Sequence, residues 1–393
     1  MGKGRYRRNS PWLFNMLTKR FKLSLIITVI VIGLVALGGI IGYGVAVQPL
    51  RMEIVGYSRG ETLGGVLKAL LRYEEKEQFA KAYHDGTTLL TDMDDFSWAV
   101  PNVLTPFVGT GPRPGKNNNA YVNSMQFRAD TELAIPKPPN IFRIFITGGS
   151  TAFGSGAPSQ DKTIAGYLSE MLNRQPTSSV QYEVFTAANP AWASTHERIV
   201  IENRLSELEP DMILSFSGNN EVHWGLLGRD VLWFRTYADE FFWGLVNTAY
   251  KIAWHTPMPE VVKVNTDPVP PSLVAERLAK NVRLSSYVLS LKGIPYLFFL
   301  QPTLAVTKKI LTEREHSFLH KKDYFLKCYD EIDSRLKSVK IDNFSFVNLS
   351  SVFDHVSGKE DIFIDSYHFG DKGNELVAGR IVAHLKQIID KFD

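Results

Sequence analysis

The first pattern along the chain is a run of 25 residues, Leu23 to Val47, with no charged position. As a helix it would be roughly 37 Å long, against a hydrocarbon core of about 30 Å. Residues 23–47 are therefore expected to form one transmembrane helix. A polar stretch follows. Within it, Leu63, Val66, Leu67, Leu70 and Leu71 recur at helical spacing before the charged run Glu74-Glu75-Lys76-Glu77. Residues 61–84 thus read as an amphipathic, solvated helix near the membrane. Seven prolines between Pro101 and Pro139 and an Asn run at 117–119 predict a loop-rich connection.

From residue 141 the period changes. Ile141 to Ile146 is a β-type run ending at Gly148-Gly149, and further strand patterns lie at Val180–Phe185, Asp211–Phe216, Pro295–Leu300 and Phe344–Leu349. Helical patterns intervene at about 162–172, 196–208 and 272–292, and another closes the chain at 372–390. Strands alternating with helices predict an α/β domain whose parallel sheet is covered on both faces. Such a sheet carries its site at the carboxyl ends of the strands. The expected organisation is a basic tail at 1–22, the transmembrane helix at 23–47, a membrane-proximal segment at 48–140 and the α/β domain at 141–393.

Charge fixes the orientation of the anchor. Residues 1–22 hold seven basic residues and no acidic one. Removing those seven from 44 leaves 37 basic against 41 acidic residues, so the overall +3 conceals a remainder of about −4. That balance gives no support to a nucleic-acid partner. The basic flank places the N-terminus in the cytoplasm and residues 48–393 on the periplasmic or extracellular side of the inner membrane. The competing reading is a cleaved signal peptide with Gly44-Val45-Ala46 at the cleavage site, but a signal h-region is only about 7–15 residues long. Gly33, Gly38, Gly39, Gly42 and Gly44 offer a face for a membrane-protein partner. With a single cysteine, Cys328, the chain has no intramolecular disulfide and no cysteine-based zinc site, and Cys328 reads as a buried small hydrophobe.

Three short motifs follow strands or precede a helix. Gly148-Gly149-Ser150-Thr151 stands directly after the first strand, where glycines permit the sharp turn that projects a serine. Gly218-Asn219-Asn220-Glu221 follows the third strand, and a side-chain amide there can donate to a developing oxyanion. Asp365-Ser366-Tyr367-His368 precedes the last helix and supplies a histidine base with a carboxylate to orient it. Taken singly, these motifs have ordinary structural uses: a turn, a loop asparagine, a helix cap. Together they make up a nucleophile, an oxyanion donor and a base with its orienter, the set that acyl transfer requires.

In these motifs the chain resembles the SGNH (GDSL-type) hydrolases over residues 141–393. Block I matches at Ile146 to Thr151, block III at Gly218 to Glu221, and block V at Asp365 to His368 with Phe369 and Gly373-Asn374-Glu375 continuing the pattern. The lead-in Asn123 to Arg128, followed by Lys137-Pro138-Pro139, resembles that of a membrane-associated subgroup. The resemblance implies a three-layer α/β/α sandwich. It implies Ser150 as nucleophile, His368 as base and Asp365 as its orienter. It also implies an oxyanion hole of the Ser150 backbone N–H, the Asn220 side chain and, from the block II stretch Thr186 to Trp192, the Ala188 backbone N–H. No metal and no cofactor are expected. Two positions depart from the pattern. Gly149 stands for the aspartate of G-D-S-L, and Ala188 stands for the oxyanion glycine. Alanine serves there only if its backbone lies in a region open to it.

Between blocks III and V, residues 223–254 are rich in His, Trp, Phe and Tyr, most of which read as core, with one or two free to meet substrate. The expected function is a membrane-anchored esterase acting on acyl, above all O-acetyl, esters of cell-envelope glycans or lipids. An O-acyltransferase would use the same residues. A silent scaffold subunit is the alternative of a different class, and it would be favoured by a Ser150 and a His368 held apart.

Overall fold

A computed structural model of the chain describes residues 11–44, 73–91, 100–117, 119–174, 180–229, 237–256 and 267–389. Its compact units are Met1–Ile54 with Leu245–Pro259, and Val55–Gly244 with Glu260–Asp393. In the first unit, Pro11–Gly42 (α1) is a 32-residue helix. Its portion Lys19–Gly42 is long and apolar enough to cross a membrane, and every side chain of that portion is exposed. Residues 45–47 of the expected span lie outside the described residues.

The second unit begins with two short helices, Tyr73–Ala80 (α2) and Gly86–Thr91 (α3). Two hairpins follow where a loop was expected: Asn102–Thr105 (β1) with Gly109–Pro112 (β2), and Gly115–Asn117 (β3) with Ala120–Val122 (β4). Strands of three and four residues broken by Gly and Pro carry too short an alternation to stand out in a sequence. The α/β part then runs Ile141–Gly148 (β5), Ser150–Phe153 (α4), Ile164–Asn173 (α5), Gln181–Thr186 (β6), Ser194–Asn203 (α6), Met212–Ser217 (β7) and Asn219–Leu226 (α7). Tyr237–Trp254 (α8) follows, its residues from Leu245 on being counted in the first unit, and Pro271–Ser290 (α9), Tyr296–Leu300 (β8), Glu313–Ser317 (α10), Lys322–Lys337 (α11), Phe344–Asn348 (β9) and Asp371–Ile389 (α12) complete the second. Each expected strand is present within two residues of its predicted ends.

The central sheet is wholly parallel, in the order β6-β5-β7-β8-β9. Alternation along the strands feeds two cores. Ile144, Ile146, Leu214, Leu297 and Phe299 meet α5 and α12 through Leu168, Leu172, Val377 and Ile381. Phe145, Ile213, Tyr296, Phe298 and Leu300 face the other way, onto α6, α9 and α11 through Ile201, Leu278, Val282, Phe325 and Ile332. Two faces and two helical layers make the three-layer α/β/α sandwich that the motifs implied. Cys328 is fully buried in the second core.

The strand order reverses on either side of β5, since the next strand in sequence pairs on one edge and the third on the other. Crevices for ligands open at such a reversal, beyond the carboxyl ends of the strands. Of the segment before the sheet, the described residues 73–91, 100–117 and 119–140 fall in the same unit as the sheet. Residues 61–72 of the expected amphipathic helix lie outside the described residues. The remainder is not simply solvated, because Phe79, Ala80, Ala82 and Tyr83 are buried. Of the aromatics at 223–254, Trp224 is buried as expected, whereas Trp254 is 67% exposed; Trp233 and Phe234 lie outside the described residues.

Candidate active site

Ser150 is the first residue of α4, immediately after β5. The turn that presents it depends on glycine. Gly148 has φ +149°, and a Cβ on it would lie 2.3 Å from the Phe216 carbonyl oxygen. At Gly149 a Cβ would lie 2.2 Å from Asn220 Nδ2 and 3.1 Å from the Trp192 carbonyl oxygen. The space that an aspartate side chain would need is filled by the Asn220 amide, which accounts for the Gly-Gly-Ser form of the motif.

His368 lies across the crevice from a distant part of the chain. Its Nε2 is 2.6 Å from Ser150 Oγ, and its Nδ1 is 2.7 Å from Asp365 Oδ2. The other carboxylate oxygen, Oδ1, accepts the backbone N–H groups of Tyr367 and His368, each at 2.7 Å. Burial pushes the Asp365 carboxyl up, but His368 and those two amides outweigh it, so the group is held below the usual carboxylate range. An ionised Asp365 accepts a hydrogen bond from His368 Nδ1–H, which keeps that proton on Nδ1 and leaves the Nε2 lone pair for the serine proton.

Asn220 is on the first turn of α7, directly after β7, the neighbour of β5. Its Nδ2 donates to the Trp192 carbonyl oxygen at 2.6 Å, and an amide nitrogen has a second hydrogen to give. Ala188 is in the turn after β6. It is flanked by Ala187, whose N–H donates to the Ile146 carbonyl at 2.8 Å, and Asn189, whose N–H reaches the Gly148 carbonyl at 3.3 Å. Among the described residues of this turn only Ala191, φ +68°, takes left-handed backbone. Ala188 does not, so its position makes no demand for glycine. All five residues singled out from the sequence thus lie at the carboxyl ends of β5, β6 and β7 or in the loop before α12, and Ser150, His368 and Asp365 form a continuous hydrogen-bonded line.

A second layer supports this line; Glu221 and Arg128 stand within the motifs, but the contacts of this layer come only from the fold. Glu221, next to Asn220, is buried and accepts the Ser194 backbone N–H at the start of α6. Residues 220 and 221 therefore hold both ends of the 192–194 turn. Burial, together with the nearby Glu197 carboxylate, pushes the Glu221 carboxyl up to about 7. Arg128, fully buried in the lead-in segment, donates through Nη1 to the Phe153 and Gly154 carbonyls at 3.1 and 2.9 Å. That caps the end of the helix carrying Ser150 with a cation. Asp365 to His368 are fastened from below by Glu315, whose Oε1 accepts Ile362 N–H at 2.8 Å and Phe363 N–H at 3.1 Å. Glu315 pairs with Lys309 at 2.7 Å, and both side chains have no exposed surface. Arg314 donates to the Phe363 and Ile364 carbonyls at 2.8 and 3.2 Å. From the segment before the sheet, His84 N–H donates to Asp371 Oδ1 at 2.9 Å, and its ring meets Glu375 at 2.8 Å. Apart from the Lys309–Glu315 pair, these partners are 25 to 291 positions apart in sequence, so no local pattern points to them.

No protein-family model and no curated protein matches the chain. Solved structures do. An acetyl xylan esterase, AlAXEase, is similar at 17% identity and TM-score 0.37, over 62% of this chain and 99% of that one. A lipase/acylhydrolase from Enterococcus faecalis is similar at 12% identity and TM-score 0.39, over 63% and 96%. The lipase Lip_vut3 from a goat rumen metagenome is similar at 10% identity and TM-score 0.40, over 62% and 96%. None of the three reaches a TM-score of 0.5. The α/β part is a three-layer α/β/α sandwich that gathers Ser150, Ala188 and Asn220 at the carboxyl ends of β5, β6 and β7, with His368 and Asp365 in line with Ser150.

Proposed function

We propose that this protein is a membrane-anchored serine ester hydrolase of SGNH type. Ser150 Oγ attacks the carbonyl carbon of an acyl ester while its proton passes to His368 Nε2. Asp365 holds the imidazole in the required tautomer and stabilises the imidazolium that forms. The Ser150 and Ala188 backbone N–H groups and the Asn220 side chain receive the oxyanion. On collapse the alcohol leaves with the proton from His368, and water then repeats the sequence on the acyl-enzyme. The observation that carries this reading is the line Ser150 Oγ to His368 Nε2 at 2.6 Å and His368 Nδ1 to Asp365 Oδ2 at 2.7 Å. A scaffold without catalytic function would have no need to maintain it.

The anchor bears on the substrate. With residues 23–47 in the inner membrane and the N-terminus inside, the catalytic unit works outside the cytoplasm. Acyl esters there, O-acetyl groups above all, are carried by envelope glycans and lipids. If a sugar hydroxyl replaced water in the second half-reaction, the same residues would perform an O-acyl transfer. The test is labelling of the full chain in detergent micelles by a fluorophosphonate, with release of acetate from acetylated glycans. Labelling lost in Ser150→Ala supports the reading. A folded wild-type chain that stays unlabelled contradicts it.

A further inference from the structure

Beside the catalytic histidine, two more imidazoles are joined through a phenol. Tyr367 Oη lies 2.9 Å from His320 Nε2 and 3.1 Å from His223 Nδ1. A phenol has one proton, so it donates to one ring and accepts from the other. The far side of His320 sets the direction. His320 Nδ1 lies 3.2 Å from the Phe318 carbonyl oxygen and 3.1 Å from Ser366 Oγ, and that hydroxyl itself donates to the Phe318 carbonyl at 2.8 Å. A carbonyl only accepts, and the serine proton is already committed. Nδ1 of His320 therefore carries the proton, and in the neutral ring Nε2 accepts from Tyr367. The Tyr367 oxygen then accepts Nδ1–H from His223. His223 is held as the Nδ1–H tautomer, with a bare lone pair on Nε2.

His223 follows Asn220 by three positions on α7, so the two share one face of the helix. Its ring stands edge-on to Tyr367 at 5.3 Å, and the Tyr367 ring is 6.5 Å from that of His368. Burial, with His320, Arg229 and His368 nearby, holds the His223 ring below the ordinary imidazole range, so it stays neutral. The side chain is half-buried, and among the described residues nothing hydrogen-bonds its Nε2. The proton chain thus ends in an acceptor, one tyrosine ring away from His368, that the triad does not use.

We propose that His223 Nε2 accepts a hydroxyl of the substrate's alcohol portion, which makes the site selective for esters of polyhydroxy alcohols such as sugars or glycerol. The proposal rests on the esterase reading above and assigns His223 to specificity, with Tyr367 and His320 as positioning residues that fix its tautomer. A site built around a hydroxyl partner discriminates against the analogue that lacks it, because that analogue displaces water from the half-buried acceptor without replacing its hydrogen bond.

Two measurements on the full chain in micelles test it. In 15N spectra of histidine-labelled protein, His223 is expected as the Nδ1–H tautomer in the wild type and to lose that state in Tyr367→Phe. An Nε2–H tautomer in the wild type overturns the proposal, whatever the activity. The second measurement is the ratio of kcat/KM for glyceryl monoacetate to that for propyl acetate. It is expected to fall about tenfold or more in His223→Phe, through KM, and to recover in His223→Gln, which restores an acceptor. An unchanged ratio in His223→Phe overturns hydroxyl selectivity alone. A wild-type chain that hydrolyses neither ester overturns the esterase reading, and the selectivity with it.

Discussion

Ser150 and Asn220 sit at the ends of neighbouring strands, whereas Asp365 and His368 sit in a segment that no helix or sheet strand contains. The first pair takes its position from the parallel ladder itself. Gly148 is in register with Phe216 across β5 and β7, and each motif begins within two residues of its strand. The second pair must be positioned by side chains. Glu315, Lys309 and Arg314 hold 362–364 from one side, and His84 holds the start of α12 from the other. One half of the candidate site is thus a product of topology, and the other a product of buried electrostatics. The two halves should fail differently.

The largest effect is expected at the loop-borne half. Asp365→Asn removes the charge that fixes the His368 tautomer and should lower kcat by about 10⁴ while leaving the fold intact. Steady-state kinetics beside circular dichroism would check it. Next comes Glu315→Ala, which leaves Lys309 charged and unpaired in a site with no exposed surface. Removing one partner of a buried pair costs about 3–5 kcal/mol, so a drop in the thermal midpoint should accompany the loss of activity. If Glu315→Ala left the midpoint unchanged, the contrast between the two halves would collapse.

At the strand-borne half the effects should be catalytic with little change in stability. Gly149→Ala puts a Cβ against Asn220 Nδ2 and the Trp192 carbonyl, and displaces the amide. A loss of about 10² in kcat is expected, the usual scale for one oxyanion donor. A variant with wild-type kcat would remove Asn220 from the oxyanion hole.

The smallest effect is one of pH on stability. Glu221 titrates at about 7 in the folded chain against 4.5 as its ordinary value. Between those values the unfolded chain has released the proton that the folded one keeps, so this group lowers stability as pH rises from 4.5 to about 7. Glu221→Gln should remove that decline, and thermal midpoints of both chains at the two ends of the window would show it. Asp365 acts with the opposite sign. Its lowered carboxyl adds stability above the ordinary Asp value of about 3.9, and that stability is lost as pH falls through the folded value.

The same contrast explains what the sequence disclosed. The strand-borne residues were legible because Gly148-Gly149-Ser150 and Gly218-Asn219-Asn220 directly follow apolar runs, where a parallel sheet must put its chemistry. Asp365 and His368 were legible as a short motif, but not the means of holding them. Lys309, Arg314 and Glu315 belong to no motif, and only the fold brings them under the loop. Ala82 and His84 read as part of a solvated helix, because their neighbours at Gly370, Asp371 and Glu375 lie nearly 300 positions away. The hairpins at 102–122 were hidden by their own glycines and prolines. Ala188 stood as a departure from the pattern until its backbone proved to be ordinary.

The most direct test of the central claim is fluorophosphonate labelling of the full chain together with hydrolysis of p-nitrophenyl acetate, for wild type, Ser150→Ala and His368→Ala. The account predicts labelling and turnover in the wild type, and loss of both in each variant with the fold retained. A folded wild-type chain that neither labels nor turns over, or a Ser150→Ala chain that does both, would contradict it.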